Sequence, residues 1–552
     1  MASRRPASFT RDPVAIAALA VLTMLVVTLL VGLLVPIYTD EVAWRMMLAR
    51  SPLDGGFDRG LGDQCGPNST VVAPFFMQPI RHFSAWMATH VADPRAVRIS
   101  GVGLALAWVA LFWRLTRRLP HDLRATGRTI GLSLIGLGVL PFLLVWSRPE
   151  QPLLIAYTLA LMVALAAQGE RPRHSSRRAW AAALIVMLTG VVALSYHPKG
   201  VVFLPIPLIA AACSSRGREG RGARIAAVTL LIGAGVIAFR YWSLRFGCAA
   251  DPQLAAALAK ENIASTIDAG RLVDSAGRLF SAALPWPYVD QAAPSPDYMS
   301  NWLPSVPIPP LVGVIWQLCV RWIWRGAIYL VAAILIAGVV GALARRRFEP
   351  RLMLAGAIAF TVLAWGATQL KKNSYESALQ LPLIVIMLVL ALPMLGDRFR
   401  RVVQVCALPL AILSIGSQLL LITFYAPVMT AIAAQPGPIG SQPYSYVPWG
   451  YPALEREIAA AARACAIDPV NGRHLLVDDM TYFPLIRSWL PLHRMAHLGV
   501  WRGSIGDPIA YLQSQGASGG VTACAYMPDD VRARAKVVGR FCCIGPWPKI
   551  AR

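Results

Sequence analysis

Two adjacent carboxylates and a scattered set of cations are the residues of this chain best suited to chemistry. Tyr38-Thr39-Asp40-Glu41 follows directly on the first long apolar run. A carboxylate at the rim of an apolar layer serves as a general base when partial burial raises its pKa toward neutrality. The structural alternative has Asp40 capping the helix that follows, with Glu41 in its first turn. The cations stand in short turns between later apolar runs. Arg148 lies in Ser147-Arg148-Pro149-Glu150, and His197 and Lys199 lie in Tyr196-His197-Pro198-Lys199-Gly200. Lys371 and Lys372 open Lys371-Lys372-Asn373-Ser374-Tyr375. Cations gathered at one membrane face suit a lipid-linked phosphate, whose head sits at that depth. The plainer reading is that each one snorkels to a head group.

The elements that must position these residues are membrane helices. The chain has 552 residues, 56% hydrophobic and 14% charged, with a mean hydropathy of +0.54. Soluble chains carry about a quarter charged residues. Apolar runs long enough to satisfy their own backbone in a bilayer recur near 14–36, 96–113, 129–146, 151–168, 179–196, 200–213, 225–243, 326–344, 352–369, 378–395 and 402–425. The stretch 308–325 is ambiguous. These runs predict a polytopic α-helical membrane protein of about 11 transmembrane helices. Residues 1–425 form this core, and 426–552 form a small α/β extracytoplasmic C-terminal domain with a helix at 453–465 and a strand at 474–478. The outer loop 37–95 carries amphipathic pieces at 41–50 and 79–91. A second outer loop, 244–310, is rich in Pro and Trp.

Orientation follows from arginine. The N-terminus and the loops 114–128, 170–178, 214–224, 345–351 and 396–401 hold 23 Arg against six acids. They are expected in the cytoplasm, which places a multi-pass protein in the cytoplasmic (inner) membrane, N-terminus inside and residues 426–552 outside. All six lysines fall on the outer side in this arrangement. The net charge of +24 is then membrane-orienting charge, and no nucleic-acid motif accompanies it. Six cysteines (65, 248, 465, 524, 542 and 543) fall outside, where disulfides form, chiefly within the C-terminal domain. Cys213, Cys319 and Cys406 read as packing residues. No cysteine or histidine spacing suggests a metal site. Asp478-Asp479 reads as a solvated turn.

A base and an anion clamp at one interface fit glycosyl transfer from a polyprenyl-phosphate sugar. The acceptor hydroxyl needs a proton acceptor, and the departing polyprenyl phosphate needs positive charge. At these residues the chain resembles the GT-C superfamily of membrane glycosyltransferases, which includes protein O-mannosyltransferases, the lipid A aminoarabinose transferase and cell-wall arabinosyltransferases. Members share an acidic motif in the first outer loop, matched here by Asp40 and Glu41, with amphipathic helices after it. The Arg148-Pro149-Glu150 and His197-Pro198-Lys199-Gly200 turns look most like those of the arabinosyltransferase branch.

The resemblance implies an inverting transferase that moves a monosaccharide, arabinofuranose on the nearest branch, to a glycan, lipid or protein acceptor. It implies Asp40 as general base, with Glu41 orienting it or touching the acceptor. Arg148, His197, Lys199, Lys371 and Lys372 become phosphate contacts. Glu150, Trp44 and Tyr375 become sugar or acceptor contacts, Glu150 alternatively holding Arg148. Some members hold a divalent cation near the acidic loop, so a divalent cation enters as an implied cofactor without a ligand set in this sequence. A lipid-linked glycan ligase or polymerase is one alternative. A lipid or solute transporter is another, but it predicts ionisable residues midway along the helices and broken helices in matching halves. Here the polar residues gather at one face.

Overall fold

The computed structural model describes residues 12–38, 41–42, 44–45, 59–61, 70–168, 176–215, 218–246, 270, 273, 303, 306–346, 348–368, 377–434, 444–467, 474–478, 480–486, 492–494, 507, 509–510, 513, 517–527 and 529–547. Asp40, Lys371, Lys372, Tyr375 and most of the loop 244–310 lie outside the described residues.

Helix α1 (Pro13–Val31) starts where Asp12 accepts a hydrogen bond from the Val14 amide at 3.0 Å. Beyond it the chain extends into β1 (Ile37–Tyr38), and β2 (Arg59–Leu61) pairs antiparallel with β3 (Thr70–Val72). Helix α2 (Gln78–His90) follows, matching the amphipathic piece expected at 79–91. The next helices are α3 (Pro94–Thr116), α4 (His121–Ile135), α5 (Leu140–Leu144), α6 (Glu150–Ala166) and α7 (Ser176–Tyr196). Then come α8 (Lys199–Val202), α9 (Pro205–Ala212), α10 (Arg221–Phe246), α11 (Pro310–Ala344), α12 (Pro350–Thr368), α13 (Ser377–Ala391) and α14 (Asp397–Ala434).

Six of these (α1, α3, α7, α10, α11 and α14) are long and apolar enough to cross a membrane, while α6, α12 and α13 are shorter apolar helices. Large apolar side chains such as Phe239, Ile336, Val405 and Ile412 remain exposed along them, as lipid-facing surface requires. The chain is a helical membrane protein.

Several expected runs are built differently. The run 129–146 splits into α4 and α5, because Gly138 adopts a φ of 64° that only glycine takes without strain. The run 200–213 divides into α8 and α9, where Pro205, lacking an N–H, starts the second helix. The ambiguous 308–325 and the run 326–344 merge into the 35-residue α11. Pro310 opens that helix at its first turn, and no proline interrupts it afterwards. Helix α14 continues past 425 to Ala434.

The C-terminal residues return to the first loop. Strand β4 (Tyr444–Tyr446) pairs antiparallel with β1, Ile37 opposite Tyr446. Helix α15 (Tyr451–Ala464), β5 (His474–Val477), α16 (Tyr482–Ile486), β6 (Leu492–Arg494), β7 (Ala517–Ala523), α17 (Asp529–Arg532), β8 (Lys536–Val538) and β9 (Phe541–Ile544) follow. The five-stranded sheet has the order β6-β5-β7-β9-β8. Strand β5 is parallel to both of its neighbours, and β9 is antiparallel to both of its own.

Two disulfides, Cys465–Cys543 and Cys524–Cys542, tie β9 to the end of α15 and the end of β7. Cys213, Cys319 and Cys406 are free thiols. Asp478 is not in a solvated turn: its buried carboxylate accepts from the amides of Met480, Thr481 and Ala523. The core of this unit is not self-contained. Ile37, Val42, Trp44, Ala88, Ala92 and Val97 from the first loop pack with Leu454, Ile458, Tyr482 and Phe483.

Candidate functional site

The site is assembled at one face, where α1, α7 and α12 end and α3 and α6 begin. Glu41 is fully buried. Its Oε2 accepts from the Tyr38 amide at 2.9 Å and from Arg98 at 2.7 Å, and its Oε1 accepts from the Ser147 amide at 2.7 Å. Arg98, in the first turns of α3, is equally buried. Besides Glu41 it donates to the carbonyls of Val35, Pro36 and Val145 at 2.9, 2.7 and 2.7 Å. A buried ion pair is tolerated only when its remaining donors and acceptors are satisfied, and here each side-chain nitrogen and oxygen of the pair has a partner. It clamps three segments together: the end of the first span, the start of α3 and the turn before α6. Tyr38 stacks on Trp146 at 4.8 Å in the same layer.

Glycine makes the clamp possible. A Cβ at Gly101, one turn beyond Arg98, would stand 2.0 Å from the Val145 carbonyl oxygen. The 145–147 turn can therefore lie directly on α3, with Gln151 anchoring it by donating to the Gly101 carbonyl at 2.8 Å.

The turn then delivers Arg148 and Glu150. Glu150 is buried and takes an ion pair from the buried Lys199 ammonium and another from Arg148 Nε at 3.2 Å. Two cations share one carboxylate, which leaves a surplus positive charge at the start of α6. The His197–Gly200 turn is closed by the Gly200 amide donating to the His197 carbonyl at 2.8 Å. A Cβ at Gly200 would meet the Ala193 carbonyl oxygen at 2.1 Å, so this turn too lies against its own preceding helix. The Lys199 amide donates to His197 Nδ1 at 3.0 Å. Burial, then the charge of Lys199, holds the imidazole well below its usual pKa. The ring is therefore neutral at physiological pH, and its proton sits on Nε2.

Aromatic rings wall this corner. Trp44 is buried against His197, ring centres 4.8 Å apart, and against Tyr196 at 5.8 Å. Lys199 Nζ lies 5.2 Å from the Trp365 ring, Trp365 contacts Phe203, and Phe203 stacks on Tyr157.

Of the residues singled out in the sequence, the structure brings together Glu41, Trp44, Arg148, Glu150, His197 and Lys199. Asp40, Lys371, Lys372 and Tyr375 fall outside the described residues. Sequence reasoning missed Arg98, Arg45, Arg81 and Trp365. Arg45 is buried and donates to the Val91 carbonyl at 3.0 Å. Arg81, fully buried on α2, packs over Trp242 at 5.6 Å. Arg98 had a usable signal: it is an arginine inside an apolar run, where a charge has to find a partner. Among the described residues no three carboxylate, imidazole or thiol groups come together as metal ligands. Both Glu41 oxygens already accept hydrogen bonds from Tyr38, Arg98 and Ser147.

No family model matches the chain, and no curated protein matches it either. Among solved structures, ArnT from Cupriavidus metallidurans bound to undecaprenyl phosphate aligns at a TM-score of 0.45 and 13% identity, over 96% of this chain and 97% of that one. The apo state of the same ArnT gives a TM-score of 0.46 and 12% identity over the same shares. An oligosaccharyltransferase from Archaeoglobus fulgidus aligns at 0.40 and 11% identity, over 91% of this chain and 68% of that one.

Proposed function

We propose that the chain is an inverting glycosyltransferase that moves a monosaccharide from a polyprenyl-phosphate donor to a cell-envelope glycan, lipid or protein. The reaction takes place at the outer face of the cytoplasmic membrane, and arabinofuranose is the first sugar to test. The observation that carries the reading is the corner formed by Arg148, Glu150, His197 and Lys199. It has surplus positive charge, a neutral imidazole and an aromatic wall at the end of membrane helices, which suits a phosphate held at bilayer depth.

In this reading Arg148 and Lys199 neutralise the departing phosphate, and His197 donates to it from Nε2. Lys371 and Lys372, which follow α12 in the sequence, add charge. Glu150 holds the two cations in register, while Trp44 and Tyr375 line the sugar or acceptor. Asp40 takes the proton of the acceptor hydroxyl as it attacks the anomeric carbon and the bond to phosphate breaks. Glu41, with both oxygens engaged, ties the Tyr38 backbone to Arg98 and the Ser147 amide.

The test is sugar transfer in lipid nanodiscs from a panel of polyprenyl-phosphate monosaccharides, with envelope extract as acceptor. Asp40→Asn is expected to lower turnover by about 10²-fold or more, as loss of a general base does. Turnover unchanged in a folded Asp40→Asn protein would move the base elsewhere. No transfer from any donor by wild type would overturn the reading.

A further inference from the structure

The opposite ends of the same helices hold a second cationic cavity. It is a space of about 830 Å³ where α3 and α6 end and α12 begins. Among the described residues Arg117, Arg118, Arg124, Arg345 and Arg351 line it, with Glu349 as the one acid. Among the described residues none of the five arginines has a carboxylate within ion-pair distance. Two of them are fixed by backbone: Arg351 donates to the Arg118 carbonyl at 3.0 Å and Arg124 to the Leu119 carbonyl at 3.1 Å. Arg117, Arg118 and Arg345 are exposed. An open hollow whose described lining carries a surplus of four positive charges calls for an anion.

A second cavity, of about 550 Å³, adjoins it and shares Arg345 and Glu349. Its wall is an apolar stripe of α11, with Leu330, Ile334 and Ala337 facing Met394 and Leu395. From Leu330 to Ala342 a helix rises about 18 Å, comparable to the length of a lipid acyl chain. The flanking surface, Ile336, Val340 and Leu343, is exposed and apolar.

We propose that these two cavities form one site for an anionic glycerophospholipid of the surrounding leaflet. Its phosphodiester head group sits among the arginines and one acyl chain lies along α11. The charge complementarity favours an anion, and the apolar groove continuous with it favours a lipid over a free phosphate. The site lies at the far ends of the helices that carry the candidate active site and is independent of the proposed function.

The experiment is native mass spectrometry of the full-length protein released from nanodiscs, titrated with phosphatidylglycerol, phosphatidylcholine or inorganic phosphate. Wild type is expected to retain phosphatidylglycerol at least about tenfold more tightly than phosphatidylcholine, and inorganic phosphate is expected not to displace it. Arg118→Gln with Arg345→Gln should remove that preference, Arg118→Lys with Arg345→Lys should keep most of it, and Ala337→Phe should weaken retention by filling the groove. Equal retention of the two lipids by wild type would overturn the proposal. So would a preference that survives in a folded Arg118→Gln, Arg345→Gln protein, or displacement by inorganic phosphate.

Discussion

At the scale of single residues, the clamp and the Arg148–Glu150–Lys199 corner make separable predictions. Glu41 and Arg98 are buried partners 57 positions apart. Removing one strands the other's charge, so Glu41→Gln or Arg98→Met is expected to cost about 3–5 kcal/mol each, and the double variant less than their sum. Thermal or denaturant unfolding in detergent measures this cycle, and strict additivity would argue against a clamp. His197 gives a pH signature. Its folded pKa is held below the unfolded value, so the unfolded chain binds the extra proton. That contribution to stability is complete above the unfolded pKa of about 6.5 and is lost as pH falls below it. Wild type should lose melting temperature between pH 7 and 5. His197→Asn, which keeps an acceptor where Nδ1 stands, should show a shallower loss; an identical pH profile would contradict the buried neutral ring. The sequence made Glu41 visible as an acid, but its role depends on Arg98 and on the Ser147 amide, 106 residues away. No local pattern encodes such contacts.

At the scale of elements, two turns packed directly on helices set the site, and each depends on a glycine. Gly101→Ala forces a methyl group into the Val145 carbonyl and is expected to destabilise by about 1–3 kcal/mol, as overpacking does, with loss of activity. Gly103→Ala, whose Cβ would have nothing within 4 Å, is the control and should be close to neutral. Equal effects of the two would contradict a close contact between the 145–147 turn and α3. The spans were legible where the apolar run was long and unbroken, as in α1, α3, α7 and α10. Legibility failed where a glycine or proline sat inside a run of even hydropathy. Hydropathy alone reports burial or lipid contact and not the backbone turn, so 129–146 and 200–213 read as single spans.

At the scale of the whole molecule, the C-terminal residues act as a cap on the first loop. Strand β4 pairs with β1, and Trp44 and Val42 belong to the same core as α15 and α16. This joint core was not readable from the sequence, because its halves are some four hundred residues apart and each looks like an ordinary amphipathic segment. The disulfides were partly readable: a C-terminal framework followed from cysteine counts, but the pairing followed only from the sheet. Removing the Cys465–Cys543 bridge, which closes a separation of 78 residues, is expected to cost about 2–4 kcal/mol. Donor turnover should fall with it as the cap loosens, and full activity in that variant would separate the cap from the site.

The Arg148–Glu150–Lys199 corner is proposed to hold the phosphate of a polyprenyl carrier. The most direct measurement is the affinity of purified protein in nanodiscs for polyprenyl phosphate, comparing wild type with Lys199→Gln and Arg148→Gln. A loss of about tenfold or more is expected in each folded variant, equivalent to about 1.4 kcal/mol. Unchanged affinity in variants that keep the wild-type melting temperature would contradict it.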